Sequence, residues 1–464
     1  MGYTNFSYYI LVVAVLFCYY VSPKKVRWVS LFLGSICFYA LLGSSIWQMG
    51  LFFSSIIIAY LAGLILSKRK NGPLLGCLVV LTLLPLLLEK ITGLTGSSFA
   101  ALTGHSLVVP VGLSFYTLQM VAYLVDIYKG RISPQRNVFK FALFASFFPQ
   151  IIQGPIPRYE ALSKELYEGS DFDLDDIISG FQLIVWGFFL KFMIADKAAI
   201  VVNTVFDDYA AYEGSYVLLA GVLYSLQLYA DFLACTTLAQ GVSVMFGIHL
   251  GDNFNRPYFS TSIRDFWRRW HISLSSWLRD YVYIPLGGSR KGVFRKYLNV
   301  IITFAMSGLW HGDSVKFLFW GLLHGLYQIV ERPFDKVKVP VLLRRVVTFL
   351  LAMIGWIIFR ADSLDISFAM LKSMVTVWNP KVLADGSMLE LGLGIEEFVV
   401  LGLSLAVLFV VSSLQERGVE VRKVIVRQNI VIRWAIYLLA IWSIWIFGTY
   451  GFGFDASDFI YGGF

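Results

Sequence analysis

His311 ends a long apolar run, so its imidazole is predicted to lie at membrane depth. An ionisable side chain there is a candidate for function. A neutral imidazole can take a proton from a hydroxyl nucleophile and later return it. Gly308 and Gly312 flank the residue and leave room for a close approach. We predict that His311 is catalytic and that Ser307 and Trp310 line its cavity; the alternative is a histidine hydrogen-bonded inside a helix bundle.

A second histidine lies in the segment 252–296, which is rich in arginine and tryptophan. Ser262 has the place of a helix N-cap. Trp267, Trp270 and His271 then recur with other apolar residues at spacings of three and four, which predicts one helical face over 262–285. We expect an amphipathic, partly re-entrant segment on the cytoplasmic side of the membrane, with its aromatic side chains at headgroup depth.

The same segment carries nine basic and three acidic residues. Guanidinium groups match the geometry of phosphate, which favours a mouth for an anionic acyl donor. Contact with anionic lipid explains the charge equally well. The predicted donor-binding residues are Arg264, Arg268, Arg269, Arg279, Trp267 and Trp270.

Two further polar residues lie within apolar stretches. His324 is predicted either to line the cavity of His311 or to pack in the core. Asp231 is the one acid between residues 214 and 251, and it either orients a histidine or fixes helix packing. The four cysteines show no metal-ligand spacing, and the chain has no P-loop, no H-E-x-x-H motif and no dinucleotide fingerprint, so neither a metal site nor a bound cofactor is expected.

The elements that position these residues are predicted from composition. The chain has 464 residues, of which 58% are hydrophobic and only 15% charged, and this excludes a soluble enzyme. The net charge of +8 resides largely in short loops, which indicates contact with the membrane surface and not with nucleic acid. Residues 28–67 lack charge and are too long for one span, so a turn is predicted at 43–45. We expect about a dozen helical passages in one domain, 1–464.

Basic loops follow the first, third and fifth predicted spans, which indicates an extracytoplasmic N-terminus. The stretch 141–160 has three prolines and a glycine in its middle. Because proline breaks long helices, we expect a re-entrant hairpin or a surface helix with a loop there.

The histidine motifs resemble those of a known family. Asp-Phe-Trp-Arg-Arg-Trp-His at 265–271, the stretch 277–288 and Gly-Leu-Trp-His-Gly at 308–312 are similar to the bacterial membrane-bound O-acyltransferase family, and within it to the alginate O-acetyltransferase-like branch. Stretches 110–117, 148–155 and 447–461 extend the resemblance over nearly the whole chain.

The resemblance implies an all-α, multi-pass integral membrane protein. Its tilted helices would form a ring around a central funnel or tunnel, with re-entrant and surface helices. The resemblance also implies that His311 is the principal catalytic residue and that His271 is a second essential residue nearer the cytoplasm. We expect both imidazoles to line one cavity, with His311 deeper.

The predicted function is transfer of an acetyl group from a cytoplasmic thioester, with acetyl-CoA as the donor, to hydroxyls of a cell-surface or secreted polysaccharide. The resemblance implies a bacterial cytoplasmic membrane and an extracytoplasmic acetyltransferase or anchored protein as partner. Two alternatives stay open at this point. One is D-alanyl transfer to teichoic acid from a carrier-protein thioester, and the other is a non-catalytic polysaccharide or lipid transporter.

Overall fold

The computed structural model describes residues 2–42, 45–95, 109–450 and 459. All regular secondary structure within these residues is helical, as predicted. The α-helices are α1 Phe6–Val21, α2 Arg27–Leu41, α3 Ile46–Lys68, α4 Gly72–Thr95, α5 Leu113–Tyr128, α6 Val138–Ser146, α7 Tyr159–Glu168, α8 Leu174–Phe188, α9 Asp196–Asp207, α10 Ser215–Val244, α11 Ile263–Arg269, α12 Ile272–Leu278, α13 Gly292–His311, α14 Val315–Val330, α15 Val341–Arg360, α16 Leu364–Thr376, α17 Ile395–Glu416, α18 Val421–Val426 and α19 Ile430–Phe447.

Seven candidate membrane spans lie within the described part of the chain: α3, α4, the continuous α8–α9 segment, α10, α15, α17 and α19. The multi-pass class is thereby confirmed. Helices α8 and α9 are joined through the π-helical turns Phe189–Ala195 into one span of 34 residues. At 1.5 Å per residue this span is about 51 Å long, which exceeds a bilayer core of about 30 Å. A ring of helices around a funnel stays a prediction.

Helix α10 lies at the centre of the fold. In the most apolar stretch of α10, 72% of the residues are buried inside the protein, whereas none are buried in the corresponding stretch of α19. Helices α8, α9, α15 and α16 all pack against α10. The central position of α10 brings its polar side chains, including Asp231, into the protein interior, while α19 presents its apolar surface outward.

The helix bounds confirm that the charge-free run 28–67 is divided into two helices. Helix α2 ends at Leu41 and α3 begins at Ile46, although residues 43 and 44 themselves lie outside the described part. Ser45 caps α3, because the Gln48 backbone N–H donates to its hydroxyl at 3.2 Å and its own N–H donates to Gln48 Oε1 at 2.7 Å. This capping box fixes where the second helix starts.

The predicted break within 141–160 also occurs. The nine residues of α6 are followed by buried turns through Gly154 and an extended stretch that leads to α7. Phe147 and Phe148 are both fully buried there. The stretch therefore packs inside the protein as a helix followed by an irregular segment.

The expectation of one helix over 262–285 is wrong. Ser262 caps α11 as predicted, accepting from the Asp265 N–H at 3.1 Å. The helix stops at Arg269, and His271 has a left-handed backbone with φ of 44°. The reason is tertiary: a neighbouring loop supplies backbone hydrogen bonds to both sides of this hinge, in place of the bonds that a helix would make.

The tryptophans of this segment face the protein interior, and their headgroup depth stays a prediction. Trp267 and Trp270 are only 7% and 1% exposed. Trp270 packs against Trp356 of α15, with ring centroids 4.8 Å apart. The two side chains lie in the protein core because the hinge folds α11 and α12 inward instead of leaving them along a flat surface.

Candidate functional site

Helices α13 and α14 form a tight hairpin that positions His311 at the end of α13. A Cβ on Gly308 would overlap the Phe317 carbonyl of α14, and one on Gly312 would overlap the Phe317 ring. Only glycine permits this approach. The predicted role of the two glycines is therefore confirmed, and it lies in bringing α14 against the histidine.

Trp310 lies between the two predicted catalytic histidines. Its ring centroid is 4.8 Å from that of His311 and 5.9 Å from that of His271. Phe115 of α5 contacts Trp310 at 5.4 Å and His271 at 6.4 Å. The two imidazoles, which are 2% and 0% exposed, thus belong to one buried aromatic cluster.

Trp320 extends the cluster from His311 to a third histidine. Its ring centroid lies 5.1 Å from that of His311 and 5.0 Å from that of His324. The indole N–H of Trp267 donates to His324 Nδ1 at 3.3 Å. A Cβ on Gly355 would overlap His324 Nε2. His324 is therefore close to the site, and its contacts fit the packing alternative.

His271 is held at the hinge between α11 and α12. Its Nδ1 lies 3.2 Å from Oδ1 of Asn253, and its ring meets that of Phe232 edge-on at 4.7 Å. Nε2 has no hydrogen-bond partner among the described residues. Burial lowers the pKa of His271, because the imidazolium form would lose its hydration. The ring is therefore neutral and able to accept a hydrogen bond.

Ser307 and Trp310 occupy the last turn of α13. The indole N–H of Trp310 donates to the Ser114 carbonyl at 3.4 Å. Ser307 is 1% exposed, and its hydroxyl has no hydrogen-bond partner in the described ranges. One turn separates Ser307 from His311 on the helix, so both predicted cavity residues lie beside the cluster.

A narrow cleft opens next to Phe115, between α5 and the irregular segment after α6. Its lining consists of Phe115, Tyr116, Gln119, Gln150, Ile151 and residues 154–157. The buried amide of Gln150 makes no side-chain hydrogen bond within the described structure. The cleft has room for about one water molecule, and Phe115 is its one lining residue that also belongs to the aromatic cluster.

Two of the predicted donor-binding arginines are engaged by acids on other helices. Arg264 Nε lies 2.9 Å from Glu331, directly after α14, and Arg269 Nη1 lies 3.0 Å from Glu416, the last residue of α17. These partly buried ion pairs tie the hinge segment to two helix ends. The positive charges of Arg264 and Arg269 are neutralised by these two carboxylates. Both arginines therefore have a structural role.

Arg268 and Arg279 are both exposed. Arg279 Nε lies 2.8 Å from its neighbour Asp280. No acid lies within ion-pair distance of Arg268 in the described part of the chain. Of the four predicted arginines, Arg268 therefore has the charge that is most available to an anionic donor.

Asp231 of α10 takes part in a buried ion-pair cluster. Lys191 Nζ lies 2.9 Å from Asp231 Oδ1 and 2.9 Å from Asp196 Oδ1. The three side chains are between 1% and 3% exposed. This cluster joins α10 to the π-helical turns, which fits the packing alternative for Asp231.

Sequence reasoning missed three residues of the site. Asn253 contacts His271, Trp320 separates two histidines, and Phe115 joins the cluster to the cleft. Phe115 lies in the stretch 110–117 and Asn253 in the segment 252–296, but no spacing or residue type in the sequence gave these residues a role. Of the C-terminal stretch 447–461 that contributed to the resemblance, the structure describes residues 447–450 and Phe459, which is buried.

Comparison with known proteins assigns the chain to a family. The profile described as MBOAT, membrane-bound O-acyltransferase family, matches residues 132–337, which include His271, His311 and His324. The probable alginate O-acetylase of Azotobacter vinelandii is 35% identical over 376 residues, covering 77% of this chain and 74% of that protein. The chain belongs to the membrane-bound O-acyltransferase family.

Other members of the membrane-bound O-acyltransferase family are also similar. The peptidoglycan O-acetyltransferase of Helicobacter pylori is 35% identical over 301 residues, covering 58% of this chain and 57% of that protein. The teichoic acid D-alanyltransferase of Bacillus subtilis is 30% identical over 304 residues, covering 63% of this chain and 74% of that protein. The chain is thus an O-acyltransferase, and the transporter alternative is not supported.

Proposed function

We propose that this O-acyltransferase moves an acetyl group from a cytoplasmic thioester to hydroxyls of a cell-surface or secreted polysaccharide. The contact of His271 and His311 with one indole, Trp310, carries the proposal, because it brings two proton-handling groups into one buried cluster. The names of the relatives from Azotobacter vinelandii and Helicobacter pylori support acetyl transfer to a polymer.

The proposed chemistry assigns proton transfer to His311. Its imidazole takes the proton of a hydroxyl, and the hydroxyl oxygen attacks the thioester carbonyl. The C–S bond breaks, the acetyl group becomes an oxygen ester, and the departing thiolate takes the proton back from the imidazolium. Exclusion of water from the aromatic cluster protects the thioester from hydrolysis. His271 orients the donor beside the reacting carbonyl.

The proposed setting is a bacterial cytoplasmic membrane with the N-terminus outside. Acetyl-CoA is the proposed donor substrate, and Arg268 offers an exposed guanidinium for one of its phosphates. The acceptor hydroxyl belongs either to the polysaccharide or to an extracytoplasmic acetyltransferase or anchored partner that passes the acetyl group on. Donor and acceptor would then approach the cluster from opposite faces of the membrane.

The proposal is tested with His311→Gln and His311→Ala. Both variants should lose transfer of labelled acetyl groups by about 10²–10⁴-fold, the usual contribution of a general acid–base group. His249→Gln is the matched control, because His249 lies in an exposed loop, with 61% of its side chain accessible. Wild-type transfer by either His311 variant, at equal protein level in the membrane, would remove His311 from the mechanism.

A second candidate is D-alanyl transfer, which the similarity to the Bacillus subtilis protein favours. Acetyl-CoA and a D-alanyl thioester on a carrier protein can be offered separately to the purified chain in liposomes. Acetyl transfer without any carrier protein supports the first candidate. Transfer that requires the carrier thioester supports the second.

A further inference from the structure

A loop preceding α11 runs alongside the hinge that contains His271. The Asn255 N–H donates to the Arg269 carbonyl at 2.9 Å, and the Ile272 N–H donates to the Asn253 carbonyl at 2.9 Å. One bond lies on each side of His271. The loop therefore fixes the backbone of the hinge from both directions.

The two segments also share an unusual backbone geometry. Among the described residues other than glycine, positive φ angles occur only at Arg256, with 47°, and His271, with 44°. Glu416 accepts from Arg256 Nε at 2.7 Å and from Arg269 Nη1 at 3.0 Å, so one carboxylate joins loop and hinge. Left-handed backbone at a histidine is maintained only where its surroundings enforce it, and such positions cluster at functional sites.

The side chain of Asn253 determines which nitrogen of His271 carries the proton. Oδ1 of Asn253 lies 3.1 Å from the Ser273 backbone nitrogen, 2.8 Å from Ser273 Oγ and 3.2 Å from His271 Nδ1. A backbone N–H can only donate, so the atom facing it is the amide oxygen. The oxygen has no proton to give, and His271 Nδ1 must therefore be the donor.

We propose that Asn253 is a positioning residue that keeps His271 in the Nδ1–H form, with the lone pair of Nε2 directed at the reacting groups. His271 then accepts a hydrogen bond from an N–H or O–H of the substrates and cannot donate one to the oxyanion of the transition state. This inference rests on the proposed role of His271 in acyl transfer. It adds a direction to that role, namely acceptor and not donor.

The direct test is ¹⁵N NMR of histidine-labelled protein in liposomes at pH 8. The ring nitrogens of the two neutral forms have distinct shifts, and His271→Gln identifies the His271 signals. We expect a protonated Nδ1 and a bare Nε2 in the wild type. A protonated Nε2 would overturn the inference whatever the activity of any variant.

Three variants add a functional readout. Asn253→Leu removes the acceptor and should lower kcat at least about tenfold, because the imidazole can then take the other form. Asn253→Asp keeps an oxygen in place and should restore most of kcat and the Nδ1–H signals. Asn255→Ala is the control, since the side chain of Asn255 is exposed and its backbone bond is kept.

The outcomes separate this inference from the proposed function. An inactive His271→Gln with a fully active Asn253→Leu would reject the positioning role and leave the proposed function standing. An active His271→Gln would reject the role of His271 itself. If Asn253→Leu is not recovered as folded protein, the wild-type spectrum and the Asn253→Asp variant still decide, and loss of the Nδ1–H signals in the latter contradicts the inference.

Discussion

Replacement of Lys191 by methionine should be among the most destabilising single changes in this chain. The Lys191 ammonium lies 2.9 Å from the carboxylates of both Asp196 and Asp231, and all three side chains are at most 3% exposed. Without the cation, two carboxylates face each other in a low-dielectric interior. Removing one partner from a buried ion pair costs about 3–5 kcal/mol, because the remaining carboxylates lose the attraction that offsets their desolvation.

Asp231→Asn should lower the free energy of unfolding by less, about 1–2 kcal/mol. The amide oxygen still accepts a hydrogen bond from Lys191, and the remaining Lys191–Asp196 pair has no net charge. Thermal unfolding in detergent, followed by tryptophan fluorescence, measures both losses. Transfer by Asp231→Asn should match the wild type at equal folded protein. A Lys191→Met protein as stable as the wild type would refute the electrostatic reasoning, and a folded but inactive Asp231→Asn would place Asp231 in the chemistry.

Three further predictions concern the site and its surroundings. Arg268→Glu should raise KM for acetyl-CoA about tenfold in steady-state transfer, and Arg268→Ala should raise it less. An equal rise in KM for both variants would favour contact of Arg268 with anionic lipid. Gly355→Ala should push His324 aside and cost about 1–3 kcal/mol in thermal unfolding, with unchanged stability as the refuting result. Lowering the pH from 7 to 5 should destabilise the fold: burial lowers the pKa of His271 to about 3, below the value of about 6.5 in unfolded chains, so the unfolded chain binds more protons. His271→Gln should reduce that loss by up to about 2 kcal/mol in unfolding curves recorded across this range.

Local sequence determined the class of protein, most helix positions and the histidines of the site. Apolar run length alone requires membrane spans, because each must cover about 30 Å of hydrocarbon. Ser262 marked a helix start, since a cap needs only a side-chain oxygen and the next turn. Gly308 and Gly312 marked a close helix contact beside His311 because no other residue fits there. These features depend on neighbours a few residues apart.

Only the tertiary structure decided what the polar residues of the site contact. Arg264 bonds Glu331, 67 residues away, and Arg269 bonds Glu416, 147 residues away, so the charges that the sequence left for an anionic donor are partly matched inside the protein. Helical spacing placed His271 on a continuous face, yet the bonds from the loop at Asn253 break the helix there. The physical reason is that burial, ion pairing and a strained backbone depend on which distant segments meet, and that information is absent from local spacing.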